Sequence, residues 1–391
     1  MLIKNLLLSG LLINKIKISQ AVDLSNGVIT INIDDDFDDS SIQDQIFTNN
    51  VGKVNVGSSV TELRYFSGIE MIKTFNIQSQ NVNKIPDHYF YGSRNIETVT
   101  FVNNIVIGVL CFEQSTIKNI DFSKVTEIQS NAFRYCYNIK SINLLQSITL
   151  NIYSFAYSGL ESVILPDSIS LEPFCFYSCT NLTSIEFKGS CTIGHYAFAD
   201  CFKLSNVTPS LESIESFGSF SFRGCSIKNV RLGQCELNIG VFQNSKIETV
   251  DAIDIKFTSK EFRGCRKLRY VNISGKFITS TDNRYDRPPE YFEYYALNEM
   301  DDILRSYHTI YQAFGNYEFQ HALLFEDCIS LEVFKANNMP EVIDSCFRNC
   351  LKLKEISINA HILSPWAFMN CVSLESINIA SVDSIGDGCF G

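Results

Sequence analysis

Proline and tryptophan are scarce, with eight and one in 391 residues, and histidine occurs five times. His88, His195, His308, His321 and His361 share no spacing that would gather a metal site or an acid–base pair, so surface or capping positions are expected. Basic residues are in deficit, 32 Lys and Arg against 43 Asp and Glu, a net charge of −11. A phosphate-backbone binder needs a basic stripe, so nucleic acid and anionic membrane surfaces are excluded as partners. No stretch reaches the ~18 apolar residues of a membrane span. The apolar run Met1–Ile13 is interrupted by Lys15 and Lys17, with no small-residue cleavage site before Ala21, and reads as a first strand or cap. The acidic run Asp34–Asp39 lacks the glycine of a calcium loop, and Gln45 stands where its twelfth-position Glu would be, so a solvated loop is expected. Nucleophile-elbow, Walker, dinucleotide and CxxC motifs are all absent. No catalytic, cofactor-binding or metal residue is therefore assigned, and no cofactor is implied.

Phenylalanine, tyrosine and cysteine are plentiful instead: 30, 17 and 14. The phenylalanines are periodic. Phe155 to Phe176 is 21 residues and Phe176 to Phe198 is 22; Phe325 to Phe347 is 22 and Phe347 to Phe368 is 21. A fixed period of this length marks a solenoid, in which each unit buries its apolar face only against its neighbours. The unit reads Phe-x-x-Cys-x-x-Leu-x-x-Ile-x-Leu, as in Phe176, Cys179, Leu182, Ile185 and Phe187, or Phe347, Cys350, Leu353, Ile356 and Ile358. A shorter version drops one residue before the leucine, as in Phe155, Ser158, Leu160, Val163 and Leu165.

The alternation at the end of the unit predicts a short strand, stacked in parallel on its neighbours at ~4.8 Å. Phe-x-x-Cys is too short for an α-helix and predicts a tight turn or one turn of 3-10 helix, with the ring plugging the core. An apolar residue five places ahead of the ring (Ile85, Ile107, Ile128, Ile193, Val342, Leu363, Ile385) predicts a second short strand. Eight cysteines occupy the place three after the ring and four the small slot just before it; only Cys191 and Cys235 fall outside. Serine replaces the column cysteine at Ser93, Ser115, Ser158 and Ser245, which a metal ligand or disulfide partner would not tolerate, so these thiols read as small core residues.

The full phrase, Ile193-Gly194-His195-Tyr196-Ala197-Phe198-Ala199-Asp200-Cys201 and again Ile385-Gly386-Asp387-Gly388-Cys389-Phe390, resembles the BspA-type leucine-rich repeat over roughly residues 61–391. The resemblance implies an all-β-leaning solenoid of short parallel strands and 3-10 or turn segments. It also implies protein binding or surface adhesion and a cell-surface or secreted location. Phe390-Gly391 leaves the last unit incomplete, as in a fragment of a longer array. The expected organisation is an N-terminal cap over 1–60, repeats over 61–274, an irregular insertion over 275–322 and repeats over 323–391.

The repeat residues are core residues, so function is sought where the unit fails or what it displays. Between Phe262 and Phe325 lie 63 residues in which the pattern nearly vanishes, apart from Ala296–Ile303, which fits one degenerate unit. Tyr285, Arg287, Tyr291, Tyr294 and Tyr295 there are candidate ligand contacts, because exposed Tyr and Arg are enriched in binding hot spots. The second candidate is an outward column of small polar residues just ahead of each strand's first inward residue: Thr98, Asn119, Ser141, Ser162, Ser184, Asn206, Asn229, Thr249 and Ser376. Tyr270, Val333 and Glu355 break it. Asn206, Asn229 and Thr249 are its candidate contacts for an extended protein or glycan ligand. Asn181, Asn206 and Asn272 also head formal glycosylation sequons. The alternative is an intracellular scaffolding array, favoured by so many reduced, buried thiols.

Overall fold

The computed structural model describes residues 22–23, 28–31, 44, 51–65, 69–144, 146–279 and 323–391. The chain divides into two compact units, Met1–Lys188 and Gly189–Gly391. Each is a stack of rungs built from a main strand, a second short strand and a turn.

In the first unit the main strands Val28–Ile31, Lys53–Val56, Thr74–Ile77, Thr98–Phe101 and Asn119–Ile120 pair in parallel, one rung to the next. Ser141–Asn143, Ser162–Leu165 and Ser184–Phe187 form a second such group. Val22–Asp23 lies antiparallel on Val28–Ile31. The second ladder comprises Lys84–Ile85, Ile105–Ile107, Val125–Ile128, Thr149–Leu150 and Ile169–Leu171. The strand expected five residues ahead of each ring is therefore present. The parallel ladder also extends N-terminal of residue 61, through Lys53–Val56 to Val28–Ile31. Those early rungs carry no phenylalanine in phase, so the period did not reveal them.

In the second unit Cys191–Ile193, Ile214–Phe217 and Cys235–Leu237 make the second ladder. Thr249–Phe257 and Tyr270–Thr279 each run through both ladders as one strand, with a register shift between Ile253 and Ile255. At that corner Gly275 has φ +74, and a Cβ there would displace the Asp254 carboxylate, 2.2 Å away, so a side chain is disfavoured. Val333–Ala336 and Glu355–Ile358 continue the main ladder, and Glu341–Val342, Ile362–Leu363 and Ser384–Ile385 the second.

Among the described residues, the ring segment from Phe90 onward is turn rather than 3-10 helix. The 3-10 turns, Ile69–Met71, Phe122–Lys124 and Leu211–Ser213, lie elsewhere in their rungs. The residues two before and two after each ring adopt the left-handed conformation: Asn131 and Tyr135 around Phe133, Tyr153 and Tyr157 around Phe155, Ser345 and Asn349 around Phe347. This geometry folds the segment into overlapping turns, Ala132 N–H to Gln129, Arg134 N–H to Asn131 and Cys136 N–H to Phe133. It leaves every other N–H aimed at the next rung, as Phe112 to Ala132, Phe133 to Ser154 and Phe155 to Cys175, each 2.8 Å. Backbone polar groups on the turn side are thus paired as completely as in a strand.

The rings form one stack per unit. Phe90, Phe112, Phe133, Phe155 and Phe176 lie 5.1–5.6 Å apart and within 14° of parallel. In the second unit Phe262 and Phe325 stack at 5.4 Å and 1°. The Phe262 N–H donates to the Leu324 carbonyl at 3.0 Å, and Tyr270 is the register partner of Val333. The rungs on either side of 280–322 are therefore next neighbours in the stack, and the regular strand before them runs to Thr279.

Candidate binding surface

Register decides what the polar column becomes. Thr98 is the partner of Asn119, Ser141 of Ser162 and Ser162 of Ser184 in the first unit, and Asn229 of Thr249 in the second. The inward neighbours Val99, Ile142, Val163, Ile185, Val230 and Val250 are buried, which turns the column residues outward. Asn229 and Thr249 sit side by side, the Thr249 hydroxyl donating to the Asn229 Oδ1 at 2.9 Å. Asn206 is exposed at the head of the short strand Asn206–Thr208. The column breakers are adjacent too: Tyr270, Val333 and Glu355 are successive register partners. Ser376 is exposed but lies outside any strand. Tyr285, Arg287, Tyr291, Tyr294 and Tyr295, the degenerate unit 296–303, the acidic run 34–39, His308 and His321 all lie outside the described residues.

A second outward file, two residues further along each strand, was not singled out by sequence. The Asn76 amide donates to Asn55 and the Thr100 hydroxyl to Asn76, both at 2.8 Å. In the second unit the same file holds Arg231, Asp251, Asn272 and Lys335; Asn272 donates to Asp251 at 3.3 Å and Lys335 pairs with Glu355 at 3.0 Å. Period-two alternation was the available signal. An asparagine has two donors and two acceptor lone pairs, so these rung-to-rung bonds leave polar capacity on the surface.

The cysteines do more than fill space. The Cys136, Cys179, Cys225, Cys265, Cys328, Cys350 and Cys371 thiols each donate to the carbonyl of the previous rung's phenylalanine at 2.9–3.3 Å. Where serine takes the same place, Ser158 and Ser245 lie 3.3 Å from the Cys179 and Cys265 sulfurs of the next rung, whereas the Ser93 hydroxyl is buried without a partner. All fourteen are free, and only Cys371 is less than fully buried. Burial pushes the Cys136, Cys191, Cys235 and Cys265 thiols up to about 12, so they carry no thiolate at neutral pH. No metal-holding cluster occurs among the described residues. His195 accepts from the Ser219 N–H at 2.9 Å and burial lowers its pKa, a structural position, while His361 pairs with Asp383 at 3.4 Å on the surface.

Four rungs depart from the small-slot rule, with Tyr89, Val241, Glu261 and Leu324 just before the ring, and one of these residues is charged. That residue, Glu261, is wholly buried. Its Oε1 accepts from the Thr258 N–H, the Thr258 hydroxyl and the Ser259 N–H at 2.6–3.0 Å, whereas Oε2 has no partner. Burial raises its pKa to about 7 against those three bonds.

A solenoid of this repeat, with its ring stack and two strand ladders, is a leucine-rich-repeat architecture, which typically serves as a protein-interaction scaffold. The family model for the BspA type leucine rich repeat region matches in six copies, over residues 25–140, 62–172, 106–226, 191–286 and 318–391. The chain belongs to that family. Among solved structures it is similar to a leucine-rich repeat protein from Bacteroides ovatus, at 19% identity and TM-score 0.41, covering 83% of this chain and 94% of that one. It is similar also to one from Eubacterium ventriosum, at 15% identity and TM-score 0.40, covering 93% and 90%. A leucine rich cell surface protein from Faecalibacterium prausnitzii matches at 18% and 0.32, covering 78% and 83%. No curated protein matches. Among the described residues no helix is long and apolar enough to cross a membrane.

Proposed function

We propose that the chain is a non-enzymatic binding module that presents its outward strand face to a protein or glycan, with cell-surface adhesion as the setting. The observation that carries this reading is the file of small polar residues in adjacent register, Asn229 and Thr249 among them, displayed where the fold needs nothing buried. Such a file suits hydrogen bonding to an extended ligand. Tyr285, Arg287, Tyr291, Tyr294 and Tyr295 form a second proposed contact region. Nucleic acid is not a proposed partner, given the net charge of −11.

The test is an array of glycans and surface proteins probed with wild type, an Asn206→Arg/Asn229→Arg/Thr249→Arg variant and a variant lacking 282–295. Loss of a specific wild-type signal in the arginine variant supports the strand face, and loss in the deletion supports the insertion. Binding that survives both sinks both assignments. Detectable hydrolase or transferase activity of the purified protein would overturn the non-enzymatic reading. The fourteen free thiols favour a second reading, an intracellular scaffold. Protection of the protein from protease added to intact cells would select it over adhesion.

A further inference from the structure

The turn side of the first unit carries a cluster of rings that the repeat does not require. Around Phe133, Phe155 and Phe176, the places two before and two after the ring hold Tyr135, Tyr153, Tyr157 and Phe174, all left-handed, with φ between 57 and 61. Other rungs fill the same places with Gly92, Gly240 and Asn244 and also with Leu110, Tyr196, Lys260 and Trp366 in the same conformation, so the fold accepts residues without a ring there. Bulky aromatic side chains there are the strained choice.

They are also locked together. Tyr135 stacks on Tyr157 at 4.7 Å and 19°, and Tyr153 on Phe174 at 4.6 Å and 13°. Tyr177 stands edge-on to both Tyr157 and Phe174, at 5.3 and 5.6 Å. Tyr137 lies 6.3 Å from Tyr135, tilted by 51°, and is 61% exposed. Its carbonyl comes so near Gly159 that a Cβ there would sit 1.9 Å away, which fixes its main chain against the next rung. Six rings thus form one platform over three rungs, with little side-chain freedom left to lose on binding.

Chemistry narrows the ligand. The cation in the platform, Arg134, lies 5.1 Å over the Tyr135 ring and is neutralised by the buried Glu113 carboxylate at 2.7 Å. Tyr137 is exposed and Tyr135, Tyr153 and Tyr157 are half-buried, each with a hydroxyl, while Phe174 and Tyr177 are buried. A purely apolar contact would be served as well by phenylalanine. Apolar ring surface with a polar group on every exposed ring matches a ligand that alternates C–H and O–H at the same scale and bears no charge. We infer that this turn-side tyrosine platform is a second binding surface, distinct from the strand face, and that it takes a neutral polysaccharide. The inference rests on the reading of the chain as a binding module.

Affinity electrophoresis of the full chain in native gels cast with mannan, laminarin, xyloglucan or mixed-linkage β-glucan tests it, with heparin as the charged control. Wild type is expected to be retarded by at least one neutral polymer and not by heparin. Tyr137→Ala, at an exposed ring, should weaken that binding ~10-fold, and Tyr135→Phe/Tyr157→Phe should weaken it while keeping the stacks and the melting temperature. Lys352→Ala, at an exposed turn residue outside both surfaces, should bind like wild type. No retardation of wild type by any neutral polymer overturns the platform, as does retardation untouched by the tyrosine variants or stronger in heparin. A protein ligand captured through the strand face alongside such a failure would leave the binding-module reading standing.

Discussion

Replacing Cys179 distinguishes a thiol that merely fills space from one that bonds the rungs together. Its sulfur is fully buried, donates to the Phe155 carbonyl at 3.1 Å and lies 3.3 Å from the Ser158 hydroxyl. If the thiol is a small hydrophobe, alanine is the gentler change, costing ~1 kcal/mol of packing. Serine would then be the harsher one, because a buried hydroxyl without a partner costs ~1–3 kcal/mol. The geometry predicts the opposite order. A serine introduced at this place keeps a donor near the same carbonyl and beside the Ser158 hydroxyl, and should cost ~0.5–1 kcal/mol. Alanine should lose ~1 kcal/mol of hydrogen bond on top of the packing, ~2 kcal/mol in all. The Phe155 carbonyl also accepts from the Ser158 N–H at 3.2 Å, so it is not orphaned in the alanine variant, which keeps the loss near the lower bound. Urea unfolding followed by far-UV circular dichroism reads the difference as a shift in midpoint at unchanged slope. Alanine as stable as serine, or more so, refutes the bonding role. A valine variant controls for volume: it restores apolar bulk but not the donor, and should not recover wild-type stability.

Phe155→Ala should cost ~3–5 kcal/mol, because the ring is wholly buried between Phe133 and Phe176 and fixed neighbours on both sides keep the void from collapsing; a loss under ~1.5 kcal/mol by urea unfolding would contradict a rigid stack. Glu261 makes stability pH-dependent. Its carboxyl is raised from 4.5 to about 7 by burial, so the native state holds the proton more tightly than the unfolded one. The associated stability is fully present below about pH 4 and falls as pH rises through 7, by roughly 3 kcal/mol. Glu261→Gln should flatten that part of the pH–stability curve, and an unchanged slope between pH 5 and 8 would refute it. Native protein should show almost no thiol titration by Ellman's reagent at pH 8, with Cys371 and then Cys389 reacting first, while all fourteen react in urea; fast labelling of an interior cysteine such as Cys265 would contradict the closed column.

The period is carried by contacts each unit makes with a copy of itself, so it is written in the sequence. That is why the ring stack, the two strand ladders and the burial of the cysteine columns could be read from spacing. The first rungs, at Val28–Ile31 and Lys53–Val56, escaped because they pair by backbone register without a phenylalanine in phase. The thiol bonds escaped because composition gives burial but not direction. The left-handed turns escaped because glycine or asparagine stands at these places in only some rungs, with Tyr, Phe, Leu or Trp in others.

The sequence by itself determined the repeat, its inward and outward positions and the exclusion of the cysteines from chemistry, since each follows from local periodicity. Only the tertiary structure decided which outward residues meet. Register places Thr249 beside Asn229 and gathers Tyr135, Tyr153 and Tyr157 onto one platform. It also makes Phe262 and Phe325, 63 positions apart, neighbours in the ring stack. The physical reason is that rung-to-rung contacts join residues some twenty or more places apart, and their alignment is set by backbone hydrogen bonds that every residue type makes alike.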